Sequence, residues 1–189
     1  GSRFPVLVNQ FASDTRLNIA FGVDRMDAVA DRIRELLELT KPPKGLRAKL
    51  NLLRTGRQLA TSVPPKYVKR APCQEVVLTG DDVNLDDIPI LGCWPEDGGR
   101  YITLPLVFTH DQQGNRNVGM YRVQQYDRNT CGMHWQIHKD GADTWRHMPP
   151  DGRLEVAVVM GSDPIVTYAA SCPLPKDIDE MVFAGFARG

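Results

Sequence analysis

The sequence lacks an excess of charge of either sign. Its 189 residues include 23 Lys and Arg and 23 Asp and Glu, which gives a formal net charge of zero at pH 7. Surfaces that bind nucleic acid or anionic membranes usually show as a surplus of basic residues. The composition therefore gives no support to either class of partner.

Paired cysteines and long apolar runs are also missing. Cys73, Cys93, Cys131 and Cys172 are far apart, and no Cys-x-x-Cys pair occurs. This spacing argues against a zinc knuckle or a disulfide framework and favours a reducing cytoplasm. No apolar run approaches the roughly 18 residues needed to span a bilayer, and no signal peptide is predicted. Internal repeats and low-complexity tracts are absent as well.

The first third of the chain shows mainly helical patterns. Phe4–Val8 is apolar and predicts a short strand, and the polar run Asn9–Arg16 predicts a loop. Asp24 is a predicted cap for an amphipathic helix that Pro42 and Pro43 end. A second helical pattern covers Gly45–Ala60. Its basic face is interpreted as a solvated surface rather than a phosphate site.

Apolar and β-branched runs predict strands in the middle of the chain: Glu75–Leu78, Tyr101–His110 and Leu154–Met160. A turn at Gln112–Asn115 leads into a further hairpin, so that three strands are predicted to form an antiparallel meander. Asp163 is a predicted helix cap with Pro164 at the first helical position, and Ile178–Phe186 predicts a last short helix. Strands in the centre and helices at the flanks predict an α+β domain built on an antiparallel sheet or barrel.

The stretch from Arg116 to Ala142 concentrates polar side chains in two runs. Asp127-Arg128-Asn129 between them are turn residues, so the stretch predicts a hairpin. An unpaired buried polar group costs about 1–3 kcal/mol, so this density of polar groups predicts a bound ligand. Alternation along the first strand predicts two faces. They are Asn117, Gly119 and Tyr121 on one side, and Val118, Met120 and Arg122 on the other.

The residue types in this stretch suit a metal ion beside a phosphate. Asn117 and His138 offer an amide oxygen and an imidazole, which magnesium, manganese or zinc accept. Arg122 and Lys139 suit a phosphate, the first through forked hydrogen bonds and the second as a point charge. The alternative that these side chains are satisfied by backbone groups and bind no ligand stays open.

His134 is the weaker metal candidate of the two histidines. On a strand, His134 and His138 lie about 13 Å apart, so they cannot easily share one ion. We therefore interpret His134 and Trp135 as walls against a flat ring.

Two motifs resemble the signature of the UbiD family of reversible decarboxylases, which use prenylated FMN. They are Asn117-Val118-Gly119-Met120-Tyr121-Arg122 and Gly132-Met133-His134-Trp135-Gln136-Ile137-His138-Lys139. Further segments are similar to the family in the same order: Cys93-Trp94-Pro95, Ile102–Leu106, Glu155–Val158 and Ile178–Phe186. The resemblance covers nearly the whole chain after Gly1-Ser2, which we interpret as a remnant of tag removal.

The resemblance implies an antiparallel split β-barrel, similar to that of flavin reductases, with flanking helices. It divides the chain into residues 1–2 as a tag remnant, 3–62 as a strand and two helices on the barrel, and 63–189 as the flavin-binding domain. The family's third metal ligand, a Glu, its proton-delivering acids and its C-terminal domain are expected downstream of residue 189. We therefore expect a truncated domain of weak or no activity that forms homo-oligomers.

The resemblance also implies roles for single residues. Asn117 and His138 are implied ligands of a divalent ion, usually manganese, that bridges the cofactor phosphate, with potassium often nearby. Arg122 is the implied contact for the substrate carboxylate, and it couples to the acids that deliver a proton after CO2 leaves. Contacts with prenylated FMN, or FMN, are implied for nine residues. They are Thr103, Met120, Tyr121, Arg122, His134, Trp135, Gln136, Lys139 and Asp140.

The implied activity is non-oxidative loss of CO2 from aromatic or α,β-unsaturated carboxylic acids. The hard chemistry belongs to the cofactor, which acts as the electron sink, while the protein orients the substrate, neutralises charge and supplies protons. Two other functions stay open: a flavin reductase or flavin carrier that binds ordinary FMN, and a non-catalytic assembly domain that retains the motif without a ligand.

Overall fold

The computed structural model describes residues 3–39, 50, 53, 56–57, 65–175 and 178–188. Within these residues the chain divides into two units. The sheet unit combines Gly1–Leu7 with Tyr67–Ser162, and the helical unit combines Val8–Lys66 with Asp163–Gly189. The division falls after Lys66 and again after Ser162, and the predicted domains 3–62 and 63–189 stay a prediction.

The described residues contain short helices and strands joined by irregular segments. The helices are α1 (Asp14–Phe21), α2 (Asp27–Leu39), α3 (Asp140–Arg146), α4 (Pro164–Ala169) and α5 (Glu180–Arg188). The strands are β1 (Arg100–Ile102), β2 (Leu106–His110), β3 (Arg116–Met120), β4 (Val123–Gln125), β5 (Cys131–Met133) and β6 (Ala157–Val159). Single 3-10 turns lie at Pro72–Gln74, Gly80–Asp82 and Leu85–Asp87. No helix in this part of the chain is long and apolar enough to cross a membrane.

Helix α1 was not predicted, because its first three residues fall in the polar run that predicted a loop. Ser13 begins it by accepting a hydrogen bond from the backbone N–H of Arg16. Gly22 ends it with a φ of 64°, a left-handed conformation that glycine adopts without strain. Helix α2 begins at Asp27, three residues beyond the predicted cap Asp24.

The helical unit has its own apolar core. Its buried members are Phe21, Val29, Ile165, Ala169, Phe183, Ala184 and Ala187. Helix α4 begins as predicted, because the Asp163 carboxylate accepts a hydrogen bond from the N–H of Ile165 and Pro164 occupies the first turn. The last predicted helix is also present, as α5. Arg32 from α2 donates to the carbonyl oxygens of Ala187 and Arg188, which caps the end of α5.

Two predicted strands are wrong. Phe4–Val8 and Glu75–Leu78 form no strand, and their apolar side chains are largely exposed. An apolar run becomes a strand only when another strand pairs with it, and neither run has a ladder partner among the described residues. Within the predicted helix Gly45–Ala60, residues 50, 53, 56 and 57 are helical. The rest of that helix and the Pro42-Pro43 stop lie outside the described residues.

The strands form two three-stranded antiparallel sheets. The first sheet has the order β1-β4-β5, and the second has the order β3-β2-β6. The single strand predicted for Tyr101–His110 is therefore wrong, because β1 belongs to the first sheet and β2 to the second. The break between them falls at Leu104, whose φ of 54° is rare for a residue other than glycine, followed by Pro105.

The predicted meander is also wrong, because the chain changes sheets after Met120. Strand β3 pairs with β2, whereas β4 pairs with β1 and β5. Residues 134–138, predicted as the second strand of the hairpin, are irregular and end in a turn. The α+β class is confirmed. The strands form two sheets rather than a closed barrel, so the split-barrel arrangement stays a prediction.

The predicted turn between the two runs of the hairpin is confirmed between β4 and β5. The Asp127 carboxylate accepts hydrogen bonds from the backbone N–H groups of Asn129 and Thr130. These bonds favour the ionised form, and they hold the pKa of Asp127 below its usual value. Asp127 therefore stabilises this turn as a carboxylate.

Asp127→Asn is expected to destabilise the sheet unit at neutral pH and to cost less in acid. Because the folded-state pKa is lowered, Asp127 contributes stability above its unfolded pKa of about 3.9 and loses it as the pH falls through the folded value. Urea midpoints of the parent and variant at pH 7 and pH 3 measure this effect. Asp87→Asn, at an exposed position, controls for the lost charge. An equal difference at both pH values contradicts the assignment.

Candidate functional site

The two motifs meet at the end of the first sheet. The last register pair of β4 and β5 is Val123 with Met133, and one step further the N–H of His134 donates to the carbonyl oxygen of Arg122 at 3.3 Å. The side chains of this next pair also bond, because Nε of Arg122 donates to Nδ1 of His134 at 3.0 Å. The structure thus joins two residues that lie twelve positions apart in the sequence.

Tyr101 from β1 completes the surroundings of Arg122. Tyr101 is the register partner of Gln124, and Gln124 lies two residues from Arg122, so the three side chains share one face of the first sheet. The guanidinium carbon of Arg122 lies 4.5 Å from the centre of the Tyr101 ring. At this distance the ring attracts the cation.

An acidic side chain faces Arg122 from the loop before β1. Gln124 donates to the carbonyl oxygen of Gly98 at 2.7 Å, which fixes that loop over the first sheet. Oδ1 of Asp97 then lies 4.0 Å from Nη1 of Arg122. This pair is long and Arg122 is half exposed, so the attraction is weak. The sequence did not single out Asp97 or Tyr101, because only the strand register brings them to Arg122.

Arg122 and its neighbours Asp97, Tyr101 and His134 form one cluster with Tyr121 and Trp135. Tyr121 and Trp135 are the packed part of this cluster. Their rings meet edge to face with centroids 6.2 Å apart. The Tyr121 ring covers Gly119, and the Trp135 ring covers Gly141, where an added Cβ would lie 2.8 Å from Nε1. The N–H of Gly141 points to the Tyr121 hydroxyl at 3.4 Å. Both rings therefore hold the two motifs together, and both glycines are required by close approach.

The proposed metal ligands come from neighbouring elements of the sheet unit. Asn117 is half-buried on β3, opposite Thr109. His138 is exposed in the turn before α3, and α3 packs against β2 and β3. Arg146 donates to the carbonyl oxygen of Ile137 at 2.6 Å, which ties that turn to α3. The described residues contain no group of three or more His, Cys, Asp or Glu that could hold a metal ion.

His134 is still not proposed as a metal ligand, but the structure gives a different reason. Residues 134–138 are not a strand, so the separation of about 13 Å derived from strand rise does not apply. His134 is instead occupied at Nδ1 by Arg122. That hydrogen bond takes the lone pair that a metal would need at this nitrogen.

The remaining predicted contacts lie around the cluster with different exposure. Thr103 is exposed directly after β1, and Met120 is half-buried at the end of β3. Gln136 and Lys139 are exposed between Trp135 and α3, and Asp140 is exposed as the first residue of α3. All five belong to the sheet unit. Their side chains are accessible to a ligand, whereas Tyr121 is buried by its own packing.

Two buried polar atoms of the sheet unit lack a hydrogen-bond partner within the described part of the chain. Oγ1 of Thr109 and Nε1 of Trp135 are buried, and neither finds a hydrogen-bond partner among the residues that the structure describes. Buried polar groups in native proteins are almost always paired with protein, water or ligand. These two atoms are therefore candidates for hydrogen bonds with water or with a polar ligand.

The fold is shared with solved decarboxylases of the UbiD class. Vanillic acid decarboxylase of Sedimentibacter hydroxybenzoicus, in its closed form, gives a TM-score of 0.75 at 27% identity, over 100% of this chain and 37% of that chain. HmfF of Pelotomaculum thermopropionicum in complex with FMN gives 0.70 at 20% identity, over 93% and 35%. Its evolved dimeric form in complex with prFMN gives 0.69 at 20% identity, over 92% and 36%. At that identity HmfF shows a shared fold only.

Sequence comparison assigns the family. The UbiD model, described as the 3-octaprenyl-4-hydroxybenzoate carboxy-lyase Rift-related domain, matches residues 66–189, and the chain belongs to this family. An uncharacterised protein of Archaeoglobus fulgidus is 43% identical over 191 residues, which is 100% of this chain and 38% of that protein. The chain thus spans less than half the length of the relatives it matches.

Proposed function

We propose that the sheet unit is the prenylated-FMN-binding region of a UbiD-class decarboxylase that acts on aromatic or α,β-unsaturated carboxylic acids. The contact between the two motifs carries the proposal. Arg122 bonds to His134, and Tyr121 packs on Trp135 beside Gly141. Membership of the family and the flavins bound by HmfF support it.

Six accessible residues in and around the cluster are the proposed cofactor contacts. They are exposed or half-buried: Thr103, Met120, His134, Gln136, Lys139 and Asp140. Lys139 suits the flavin phosphate, because an ammonium group interacts with it as a point charge. Tyr121 and Trp135 contribute differently, since their rings pack on Gly119 and Gly141 and shape the site from behind.

Asn117 and His138 are the proposed ligands of a manganese ion. An amide oxygen and an imidazole are donors that manganese accepts, and they leave most of its coordination positions to water and phosphate oxygen. No group of three acidic, imidazole or thiol side chains among the described residues offers a stronger site. The ion is therefore expected to bind together with the flavin phosphate rather than by itself. Potassium is a further candidate ion for the same phosphate.

Arg122 is the proposed contact for the substrate carboxylate. Decarboxylation breaks the bond between the substrate and its carboxylate carbon, leaves the electron pair on the substrate, and replaces CO2 with a proton. When bound, prenylated FMN supplies the electron sink for this step. Arg122 can hold the carboxylate by forked hydrogen bonds that fix its orientation. We assign no proton donor within the cluster and expect turnover by this chain to be slow or absent.

Manganese is expected to strengthen the binding of FMN to the 189-residue chain, but not the binding of riboflavin. Riboflavin lacks the phosphate that the ion would bridge. Asn117→Ala and His138→Ala are expected to remove the manganese effect, with a loss of FMN affinity of about tenfold or more. Quenching of flavin fluorescence, with and without manganese, measures each affinity.

Asn129→Ala and His147→Ala are matched controls, because both residues are exposed and lie outside the cluster. They are expected to keep the manganese effect. Equal strengthening of riboflavin binding contradicts the phosphate-bridged ion. Manganese-independent FMN binding with NAD(P)H oxidation favours a flavin reductase instead. Failure to bind FMN or prenylated FMN favours an assembly domain.

A further inference from the structure

Two residues contact the Arg122 side chain from different sides. Neither the motifs nor membership of the family assigns them a role at Arg122. Nδ1 of His134 accepts a hydrogen bond from Nε of Arg122 at 3.0 Å. The centre of the Tyr101 ring lies 4.5 Å from the guanidinium carbon of Arg122. We propose that His134 and Tyr101 are positioning residues that fix Arg122 for a carboxylate, with His134 as the neutral tautomer that carries its proton on Nε2. This proposal rests on the carboxylate role of Arg122 proposed above.

The tautomer follows from the donor inventory of the two side chains. Arginine stays protonated in proteins, so its Nε always donates and never accepts. Nδ1 of His134 must therefore present a lone pair, and the imidazole proton must sit on Nε2. A doubly protonated imidazole would place one N–H against another at 3.0 Å, so the observed bond requires the neutral ring.

The geometry also selects which edge of the guanidinium meets a ligand. With Nε donating to His134, the edge formed by Nη1 and Nη2 is the one left for forked hydrogen bonds to a carboxylate. Nη1 lies 4.0 Å from Oδ1 of Asp97, which is beyond hydrogen-bond distance, so Asp97 does not occupy this edge. The site thus presents a planar pair of donors for the carboxylate of a ligand.

The hydrogen bond to His134 limits one motion of the Arg122 guanidinium group, and the Tyr101 ring limits another. The ring restricts rotation of the guanidinium group out of the plane of its hydrogen bonds. The Tyr101 side chain is buried, with 9% of its surface exposed, so its ring is fixed by β1 and β4. A guanidinium above a fixed ring keeps one face covered. Because Arg122 is ordered before the ligand arrives, less conformational entropy is lost when a carboxylate binds.

Benzoate and benzyl alcohol serve as probes of carboxylate binding. Benzoate has a carboxylate where benzyl alcohol has a neutral hydroxymethyl group. They are titrated into the full chain with FMN and manganese and followed by NMR. His134→Leu is expected to weaken benzoate about tenfold, the usual effect of losing a hydrogen bond to a charged group. Tyr101→Leu is expected to weaken it about threefold through loss of the cation–π contact. His134 is also a proposed cofactor contact, so each variant is titrated at saturating FMN, and the ratio of benzoate affinity to benzyl alcohol affinity is expected to fall by these factors.

Conservative variants separate positioning from general support of the fold. His134→Asn places an amide oxygen near the position of Nδ1, and Tyr101→Phe keeps the ring, so both are expected to restore benzoate affinity to within about twofold. In an Arg122→Ala background, His134→Leu should add no further loss, because the residue that it positions is gone. An equal loss in both backgrounds overturns the proposal.

A spectroscopic measurement tests the pair without any ligand. Long-range proton–nitrogen NMR of the imidazole is expected to show Nδ1 of His134 unprotonated, with a shift that changes in Arg122→Ala. If the nitrogen signals are the same in both proteins, the positioning role is wrong. If they change but Arg122→Ala leaves benzoate affinity intact, the carboxylate role fails while the contact itself stands.

Discussion

Leu106→Ala is expected to lower the free energy of unfolding of the sheet unit by about 2–5 kcal/mol. Leu106 is fully buried, and it begins β2, the central strand of the second sheet. Its register partners are Met120 on β3 and Val159 on β6, so a cavity at this position affects both neighbouring strands. The side chain lost is large, and strands pinned on both sides can collapse onto the cavity only in part.

Urea denaturation followed by tryptophan fluorescence reports this effect selectively. All three tryptophans lie in the sheet unit, so the signal does not record the helical unit. Leu104→Ala is the matched control, because Leu104 lies two residues away and is 48% exposed. Its expected change stays within about 0.5 kcal/mol. Similar losses in the two variants would contradict the placement of Leu106 in the core.

Local signals in the sequence predicted the parts of the fold that depend on a few neighbouring residues. The Asp163-Pro164 start of α4 and the Asp127 turn are both formed by hydrogen bonds within three residues. Capping and turn preferences describe such bonds directly. The α+β class also followed, because it needs only the order of helical and strand patterns.

Pairing between distant strands could not be predicted in the same way. The apolar run Tyr101–His110 is continuous in sequence, yet it supplies strands to two sheets. The change of sheet depends on the positive φ of Leu104, and a leucine in the sequence does not predict a positive φ. The strand predicted around Val76 and Val77 is wrong for the opposite reason. Its composition favours a strand, but composition does not supply a strand to pair with.

The candidate site was predicted to the extent that it lies in the two motifs. Arg122, His134 and Trp135 were all singled out, and the structure brings them into one cluster. Asp97 and Tyr101 were missed, because they approach Arg122 only through the register of β1 with β4 and a hydrogen bond from Gln124. A residue pattern contains motif spacing but not the register between strands.

Gly119→Ala is expected to destabilise the sheet unit by about 1–3 kcal/mol, the usual cost of overpacking. Alanine in a strand is normally better than glycine, because glycine loses more conformational entropy on folding. At position 119 the new methyl group would lie less than 3.0 Å from the Tyr121 ring. The ring must move, and its contacts with Trp135 and Gly141 move with it. FMN affinity is expected to fall in the same variant.

The Tyr121 ring, rather than the glycine itself, is the predicted source of this cost. In a Tyr121→Ala background the three atoms nearest to the added methyl group are gone, so Gly119→Ala should be neutral or stabilising there. Gly92→Ala is the control in the parent chain, since an added Cβ at Gly92 meets no atom within 4 Å. Urea midpoints of the four proteins measure the coupling. An equal cost with and without the Tyr121 ring would show that Gly119 is required for another reason.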